Sequence, residues 1–382
     1  MNKIVSEELY QFCVDHYRAL HQIPEVGFDL PETTAYVVKA LEELGIEPQT
    51  QYGQCSVVGQ IGNDPNRPTI AFRADMDALP ITETTGLPWS STKPGAMHAC
   101  GHDSHTAIML TVGKYLKAHE QELKCNVRLM FQPSEEGAVS GAKMMVDNGV
   151  MDGAECVVCT HCEPTIHSGK TGLGYGDSMA ACIPMEIRFH GKSAHATLPE
   201  NGIHALDMAA DAYHELKAMV AEEAQGRKYI WNVGHMGAGD VHNIIPDLAV
   251  MRISFRFYDI PFSQRVMEKV EAICRRIAAS YGGSVDFDWR MSTGPVYNDP
   301  AIADKVKAAM EGLEVADFPA RMSSEDFAWY LTKAPGVLFR YGSGDEEVGI
   351  VDIAHNSNFQ VAEEGMKTAI YTFVRFALQY NN

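Results

Sequence analysis

Residues 97–105 read MHACGHDSH, a nine-residue stretch with three histidines, one cysteine and one aspartate. Each of these side chains carries a polar or reactive atom that burial would leave unsatisfied, so packing alone explains their density poorly. The same atoms are good ligands for a metal ion. If the stretch holds a metal, further ligands must come from elsewhere, and the chain offers Glu135, Glu136, His161 and His355.

Helix patterns and strand patterns alternate on both sides of this stretch. Such alternation predicts an α/β domain whose mostly parallel sheet is covered by helices on both faces. After residue 295 the same alternation returns. The predicted helices are residues 6–23, 31–44, 105–119, 141–149, 301–311 and 363–380, and the predicted strands are residues 56–61, 69–73, 127–131, 156–161 and 337–341.

Polar candidates for a site fall where these strands end. Asp75 follows strand 69–73, the pair Glu135-Glu136 follows strand 127–131, and His161 ends the apolar run from Cys156. Open α/β sheets place their ligand sites at the carboxyl ends of the strands. We therefore predict that these side chains share one site.

The pattern changes between residues 180 and 291. A β-α-β-β-α order there predicts an α+β layer, with an antiparallel sheet and two helices on one face. We therefore predict a catalytic domain in two parts, residues 1–179 and 292–382, interrupted by an inserted domain at residues 180–291. The elements of the insertion are strands at 184–190, 229–236 and 248–258 and helices at 203–219 and 261–282.

Composition limits the partners. With 31 Lys+Arg against 50 Asp+Glu the formal charge is −19, which disfavours nucleic acid and anionic membranes. No apolar run reaches the roughly 20 residues of a membrane-spanning helix, and no signal peptide is recognisable. Nine cysteines without an export signal predict free thiols and a cytoplasmic protein. Cys156, Cys159 and Cys162 are interpreted as small buried filler.

The chemistry of the candidates suits a hydrolytic metal site. Zinc-like ions take cysteine sulfur, histidine nitrogen and carboxylate oxygen as ligands. Five such ligands are too many for one open tetrahedral ion and suit two ions that share a bridging group. The five candidates are Cys100, His102, Glu136, His161 and His355. In extended backbone, Cys100 and His102 would share one side. Glu135 cannot point in the same direction as its neighbour Glu136, so we expect one to ligate and the other to act as a base.

Other interpretations stay open on the residues alone. An isolated Glu-Glu pair is usually a solvated loop feature, and His161 by itself is as readily a core residue as a ligand. Asp75 and Asp77 could cap a turn, although their place after a strand and beside Arg73 favours orienting a metal-binding histidine. A closed structural metal site would need no Glu135.

Eight motifs along the whole chain resemble the amidohydrolase branch of the aminoacylase/carboxypeptidase metallopeptidase family. That branch includes hippurate hydrolases, N-acyl-amino-acid deacetylases and plant auxin-conjugate hydrolases. A chance match of all eight in order is not credible. The motifs are RALHQIPE at 18–25, RADMDALP at 73–80, HACGHDSH at 98–105, FQPSEE at 131–136, GKSAH at 191–195, NIIP at 243–246, SEDFA at 324–328 and HN at 355–356.

The resemblance implies a centre of two divalent ions (Zn, Mn, Co or Ni), with Glu135 as the general base. His195, on the inserted domain, would stabilise the oxyanion, and Asn243 and Arg256 would contact substrate. In this family the insertion also forms a homodimer, and its histidine often serves the partner's site. The implied ligands are Cys100, His102, Glu136, His161 and His355. Their positions beside these ligands or after a strand make Asp75, Asp103, His98 and His105 candidates for supporting residues.

Two positions depart from the broader family pattern. Arg73 stands where the family's first metal motif has a histidine, and the branch compensates with Cys100-x-His102. Ser193-Ala194-His195 replaces the Gly-Gly-His that the branch often carries, a change beside the residue expected to hold the oxyanion.

We therefore expect an enzyme that cleaves the amide bond of small N-acyl amino acids, or related amides, by a metal-activated water. The alternatives are a dipeptidase or carboxypeptidase on the same scaffold and a metal-binding homologue without catalysis. The acyl group, the amino acid, its stereochemistry and the native metal depend on pocket shape, which motifs do not encode.

Overall fold

The computed structural model describes every residue except Asn2 and Asn382. It divides into two compact units. The first consists of Met1–Ser178, Val296–Ala320 and Asp326–Asn382, and the second consists of Met179–Pro295 and Arg321–Glu325. Among the described residues, no helix is both long and apolar enough to cross a membrane.

Eight α-helices are present among the described residues: α1 (Glu7–His21), α2 (Pro31–Glu43), α3 (His102–Ala118), α4 (Gly141–Asp147), α5 (Ala205–Ala224), α6 (Ile260–Ser280), α7 (Pro300–Ala309) and α8 (Met366–Gln379). The strands are β1 (Pro48–Gln49), β2 (Val57–Ile61), β3 (Thr69–Asp75), β4 (Asn126–Gln132), β5 (Ala154–His167), β6 (Lys170–Leu173), β7 (Gly176–Met179), β8 (Ala181–His190), β9 (Ala194–His195), β10 (Tyr229–Ala238), β11 (Ile244–Ile245), β12 (Leu248–Phe257), β13 (Ser284–Trp289), β14 (Val296–Asn298), β15 (Glu314–Asp317) and β16 (Gly336–Gly344).

The first unit is built on an eight-stranded sheet in the order β1-β2-β4-β3-β5-β16-β6-β15. Its centre is parallel, because β3 pairs in parallel with β4 and with β5, and β5 pairs in parallel with β16. Antiparallel pairs join β1 to β2, β2 to β4 and β16 to β6. The predicted mostly parallel α/β sheet is therefore confirmed.

Both faces of the central strands are covered. Phe72 of β3 packs against Phe373 and Phe376 of α8, with ring centroids 4.8 and 6.0 Å apart. The next side chain, Arg73, points to the opposite face and contacts Asp326, at the start of a 3-10 helix. Successive strand residues face opposite sides of the sheet, so an apolar run such as β3 indicates a strand that is buried on both faces.

The second unit is an antiparallel sheet in the order β10-β12-β8-β13, with α5 and α6 packed on it. Every other residue of β8, from Ile183 to Phe189, is buried in that core, whereas its neighbours are more exposed. Strand β13 was missing from the sequence prediction, which ended the insertion with a helix. Its alternation is short and carries two aspartates, so it is a weak strand signal that pairing with β8 stabilises.

Two further predicted boundaries were wrong, and both lie at the site. Helix α3 begins at His102 rather than at residue 105, and β5 runs on to His167 rather than ending at His161. The longer strand is stabilised by its parallel partner β16, which pairs with it as far as Gly344.

Arg73 lies at the centre of a buried polar network. Its guanidinium donates to Gln132 Oε1 at 2.7 Å, to Asp75 Oδ2 at 2.6 Å and to Asp326 Oδ1 at 2.9 Å. The Asp326 carboxylate also accepts from Gln132 Nε2 and from Ser140 Oγ. Arg73 is 1 % exposed, so these are desolvated, charge-assisted bonds that join three segments of the first unit.

Replacing Arg73 with Met should lower the free energy of unfolding by about 3–5 kcal/mol, because two buried carboxylates would lose their counter-charge. Urea unfolding measures the change. Lys39→Gln is the control, since Lys39 is 76 % exposed and its ion pair with Glu43 is 3.7 Å long. That variant should stay within about 0.5 kcal/mol of the parent. An Arg73→Met protein as stable as the control would contradict the role given to this network.

Candidate metal centre

Five predicted ligands come together in the first unit. Their donor atoms form overlapping groups, in each of which the atoms lie within 4.8 Å of one another. Cys100 Sγ is 3.5 Å from His161 Nε2, and Glu136 Oε1 is 3.0 Å from His355 Nε2. The groups that contain them are Cys100 with His102 and His161, Cys100 with Glu136 and His355, and His102 with Glu135 and Glu136.

A left-handed glycine, not an extended backbone, joins Cys100 to His102. Gly101 has φ +81° and is the N-cap of α3, so the predicted extended geometry was wrong. A Cβ at Gly101 would lie 2.6 Å from Cys162 Sγ, so both the dihedral angle and the space require glycine. The turn places Cys100 before the helix and His102 in its first turn, with both side chains at one cluster.

His102 is oriented with Nε2 towards the cluster. Its Nδ1 lies 2.8 Å from the main-chain oxygen of Asp77, which can only accept, so Nδ1 carries the proton. Its Nε2 is fully buried and makes no hydrogen bond within the described residues. A buried imidazole nitrogen without a partner, facing a thiol and carboxylates, is what a divalent ion would satisfy.

His161 shows the same arrangement from the middle of β5. Its Nδ1 donates to the Cys162 carbonyl at 2.8 Å, which leaves Nε2 as the atom that faces Cys100. Because β5 continues to His167, His161 projects from inside the strand. The predicted position at the end of the strand was therefore wrong. Burial holds the pKa of His161 well below its usual range, so this imidazole is neutral and suited to a metal.

The Asp77 carboxylate holds the loop that carries the two glutamates. It accepts from the backbone N–H of Glu135 at 2.9 Å and of Glu136 at 3.1 Å. Ser134, just before them, has a left-handed φ of 50°. The sequence analysis left Asp77 two possible tasks, to cap a turn or, as favoured, to orient a histidine. The parallel pairing of β3 with β4 could have shown its contact with the glutamate loop. Asp75 pairs with Gln132, so Asp77 lies level with the residues that follow β4.

Both glutamate side chains reach His102, contrary to the expectation that they point apart. Glu135 Oε2 is 4.0 Å from His102 Nε2, and Glu136 belongs to the same group. His355 contacts Glu136, with Nε2 3.0 Å from Oε1. Although burial opposes it, this histidine and then His102 hold the pKa of Glu136 below its usual value, so Glu136 is ionised.

His355 is delivered by a loop after β16. It has a left-handed φ of 68°, and its backbone N–H donates to the Ala99 carbonyl at 2.7 Å. A non-glycine residue in this conformation costs about 1 kcal/mol, and the hydrogen bond to Ala99 helps to hold it there. Its side chain is 54 % exposed, whereas Cys100 and His102 are buried.

Asp75 supports the cluster from behind. Its Oδ1 accepts from His105 Nδ1 at 2.6 Å, and His105 Nε2 in turn accepts the backbone N–H of Cys162 at 2.9 Å. The series Arg73, Asp75, His105 and Cys162 therefore ties β3, α3 and β5 together. Cys162, interpreted from sequence as filler, is buried and its thiol donates to the Cys100 carbonyl at 3.1 Å.

Asp103 contacts His21 rather than a candidate ligand. His21 Nδ1 lies 2.6 Å from Asp103 Oδ2, and its Nε2 lies 3.3 Å from Glu83 Oε1. Burial alone would lower the pKa of His21, but the two carboxylates raise it to about 9. His98, nearby, is buried with both ring nitrogens unpaired within the described residues, and burial lowers its pKa to about 4.

The three remaining predicted residues belong to the second unit. His195 in β9 is exposed, and its Nδ1 lies 2.8 Å from Thr197 Oγ1. Asn243 directly precedes β11, which pairs with β9, so these two side chains sit on one small ribbon. Arg256 lies in β12 and donates to the Met322 carbonyl at 3.0 Å and to Ser324 Oγ at 3.1 Å.

Known proteins resemble the chain over nearly its whole length. The model of the peptidase family M20/M25/M40 matches residues 71–379. N-acetyl-L-cysteine deacetylase of Bacillus subtilis is 36% identical over 93% of this chain and 84% of its own. Thermostable carboxypeptidase 2 of Saccharolobus solfataricus is 31% identical over 98% and 97%. A dinuclear metal binding peptidase of the M20 family from Bacillus subtilis superposes with a TM-score of 0.85 at 30% identity, over 98% of each chain.

The pKa of His21 predicts a pH-dependent stability. A group whose pKa is higher in the folded protein stabilises it fully below its unfolded value, about 6.5, and loses that effect as the pH rises through its folded value. His21 should therefore contribute about 3 kcal/mol at pH 6 and nothing near pH 10. Thermal melts of chelator-treated parent and His21→Gln proteins should show a Tm difference that closes between these pH values. A difference that is constant with pH would contradict the assignment.

Proposed function

The chain belongs to the peptidase family M20/M25/M40, and from that premise we propose that it hydrolyses the amide bond of small N-acyl amino acids. As a hydrolase of carbon–nitrogen bonds it would release a carboxylic acid and a free amine. The observation that carries the proposal is the convergence of thiol, imidazole and carboxylate donors on the buried, unpaired Nε2 of His102, with Glu135 4.0 Å away.

We propose that the five donors hold two divalent ions, Zn, Mn, Co or Ni. The donor set of one thiol, three imidazoles and one carboxylate suits such ions, and His102 and His161 each direct Nε2 at the cluster because Nδ1 is bonded to a main-chain carbonyl. When bound, the ions would polarise the scissile carbonyl and lower the pKa of the attacking water. The ligands would be Cys100, His102, Glu136, His161 and His355.

Glu135 is the proposed general base. Its backbone is fixed by Asp77, and its carboxylate lies at the cluster, 4.0 Å from His102 Nε2. It would take the proton of the attacking water and deliver it to the departing nitrogen, so that one side chain serves both steps. Its side chain is 13 % exposed, which keeps bulk water from competing for that proton.

The second unit would supply the remaining functions. We propose that residues 180–291 form an inserted domain through which two copies pair, and that His195 stabilises the oxyanion in the partner's site. Its exposed position supports a role outside its own unit, since its ring is held by Thr197 through Nδ1 alone among the described residues. Asn243 and Arg256 would contact the substrate, with the guanidinium directed at the carboxylate of the amino acid.

A carboxypeptidase is the second candidate, because the Saccharolobus relative bears that name and is 31% identical over 98% of this chain. Both reactions break the same bond and would use the same base. They differ in what lies on the acyl side of the scissile amide, which is a simple acyl group in one case and a peptide in the other. A metal-binding protein without catalysis is the third possibility, and it gives no function to Glu135.

The reconstituted protein should hydrolyse acetyl-, benzoyl- or longer acyl-amino acids faster than dipeptides or blocked peptides. Glu135→Gln should retain about two metal equivalents and lose at least 10²-fold in kcat, because the base is gone and the ligands remain. Amine release measures the rates, and mass spectrometry measures the metal after loading with Zn, Mn, Co or Ni.

Glu136→Gln is the matched control, since it changes the neighbouring carboxylate and should lose metal as well as activity. Faster turnover of peptides would favour the carboxypeptidase. Near-normal activity of Glu135→Gln would overturn the role of the base, and metal binding without any amide turnover would favour the binding protein.

Mixing two inactive variants tests whether His195 serves the partner's site. A dimer of one His195→Ala and one Glu135→Ala subunit contains one site with both residues intact if the histidine acts across the interface. An exchanged equimolar mixture should therefore regain roughly a quarter of the parent activity, because half of the dimers are mixed and each has one competent site. Activity that stays at the level of the separate variants would show that His195 acts within its own chain.

A further inference from the structure

The motif RALHQIPE at residues 18–25 has no task in the proposed chemistry, since none of its side chains is among the candidate ligands. It covers the end of α1 and the turn after it. We infer that residues 21–25 form a positioning brace for the metal centre, with His21 as the positioning residue for His102. This inference rests on the proposed function, because it concerns how the same cluster is held.

The first contact of the brace is with the helix that carries His102. His21 Nδ1 lies 2.6 Å from Asp103 Oδ2, and both residues are 1 % exposed. Asp103 follows His102 directly, in the first turn of α3. Because the N-cap of α3 is Gly101, which offers no capping side chain, that turn depends on such contacts for its position.

The second contact is with the segment that orients the imidazole of His102. The backbone N–H of Ala78 donates to the Glu25 carbonyl at 2.7 Å. Asp77, next to Ala78, accepts a hydrogen bond from His102 Nδ1 at its own carbonyl. The Glu25 carboxylate in turn accepts from the backbone N–H of Thr33 at 2.8 Å, which fixes the turn against α2.

Two separate sets of contacts thus fix the position of His102 relative to residues 21–25. Its main chain is fixed through Asp103 and His21, and its ring is fixed through Asp77, Ala78 and Glu25. A shift of residues 21–25 would move both the main chain and the ring of His102. The position of His102 relative to Cys100 therefore depends on these residues. Outer contacts of this kind typically change metal affinity by 10–100-fold.

Arg18 provides an internal comparison within the same motif. Its guanidinium binds Glu363 at 2.7 and 2.9 Å and lies 4.0 Å over the ring of Trp89. None of these contacts is with α3 or with residues 77–79. Changing Arg18 therefore removes an ion pair from the end of α1 without touching the brace.

Two substitutions of His21 separate its two partners. Asn can place an amide N–H near the position of Nδ1 and keep the bond to Asp103, whereas Gln can place one near Nε2 and keep only the contact with Glu83. Both remove the imidazole, so a general packing role predicts the same result for both. The probe is Co²⁺ added to the full-length chain, read by its visible absorption, including the thiolate charge-transfer band of Cys100, and by competition with a chelator.

We expect His21→Gln to weaken Co²⁺ binding roughly tenfold and to change the absorption band, and His21→Asn to stay within about twofold of the parent. Arg18→Gln should lower Tm but leave the band unchanged. If His21→Gln does not fold, Asp103→Asn and Glu83→Gln replace it, and only the first should alter the band.

Equal effects of the two His21 substitutions, or a parent-like band in His21→Gln, would overturn the brace alone. A band changed as much by Arg18→Gln would overturn it as well. A parent chain that binds no Co²⁺ would overturn the proposed function and the brace together, so the two failures are distinct.

Discussion

One residue, Asp77, holds both halves of the proposed catalytic arrangement. Its carbonyl fixes the ring of His102, and its carboxylate accepts the backbone N–H groups of Glu135 and Glu136. The ends of β3 and β4 must therefore be level, and the parallel pairing of Asp75 with Gln132 makes them so. A sheet displaced by one residue would separate Glu135, the proposed base, from His102, the proposed ligand that it faces, because successive residues point to opposite sides. The hydrolytic proposal thus depends on strand register before it depends on any metal.

Behind this arrangement, Arg73 takes a position where the broader family pattern has a histidine. Its planar guanidinium binds Asp75, Gln132 and Asp326 at once, which a single imidazole could not do. Arg73 is connected to the cluster through Asp75, which holds His105 and, through it, the backbone of β5. The substituted position has therefore become part of the support, while Cys100 supplies a donor to the cluster.

Local patterns predicted most of the elements, because hydrophobic periodicity is a property of neighbouring residues. The ends of the predicted parallel strands brought Asp75, Glu135-Glu136 and His161 to one edge of the sheet. The dense stretch at residues 97–105 and the family resemblance added Cys100, His102 and His355. Sequence patterns failed where pairing with a strand distant in sequence determines the structure. Strand β5 runs past His161 because β16 pairs with it, and β13 forms because β8 accepts it. The turn at Gly101 and the two roles of Asp77 depend on φ and on hydrogen bonds that no periodicity reports.

His355 carries a consequence of a different kind. It lies far along the chain from Cys100, yet its backbone N–H is bonded to Ala99, beside that cysteine. Ions shared by donors from residue 100 to residue 355 would close a loop that includes the whole second unit. Unfolding would then have to release them, so the concentration of free metal would enter the folding equilibrium as a reactant. For such a chain, conformational stability is a property of the solution as well as of the sequence.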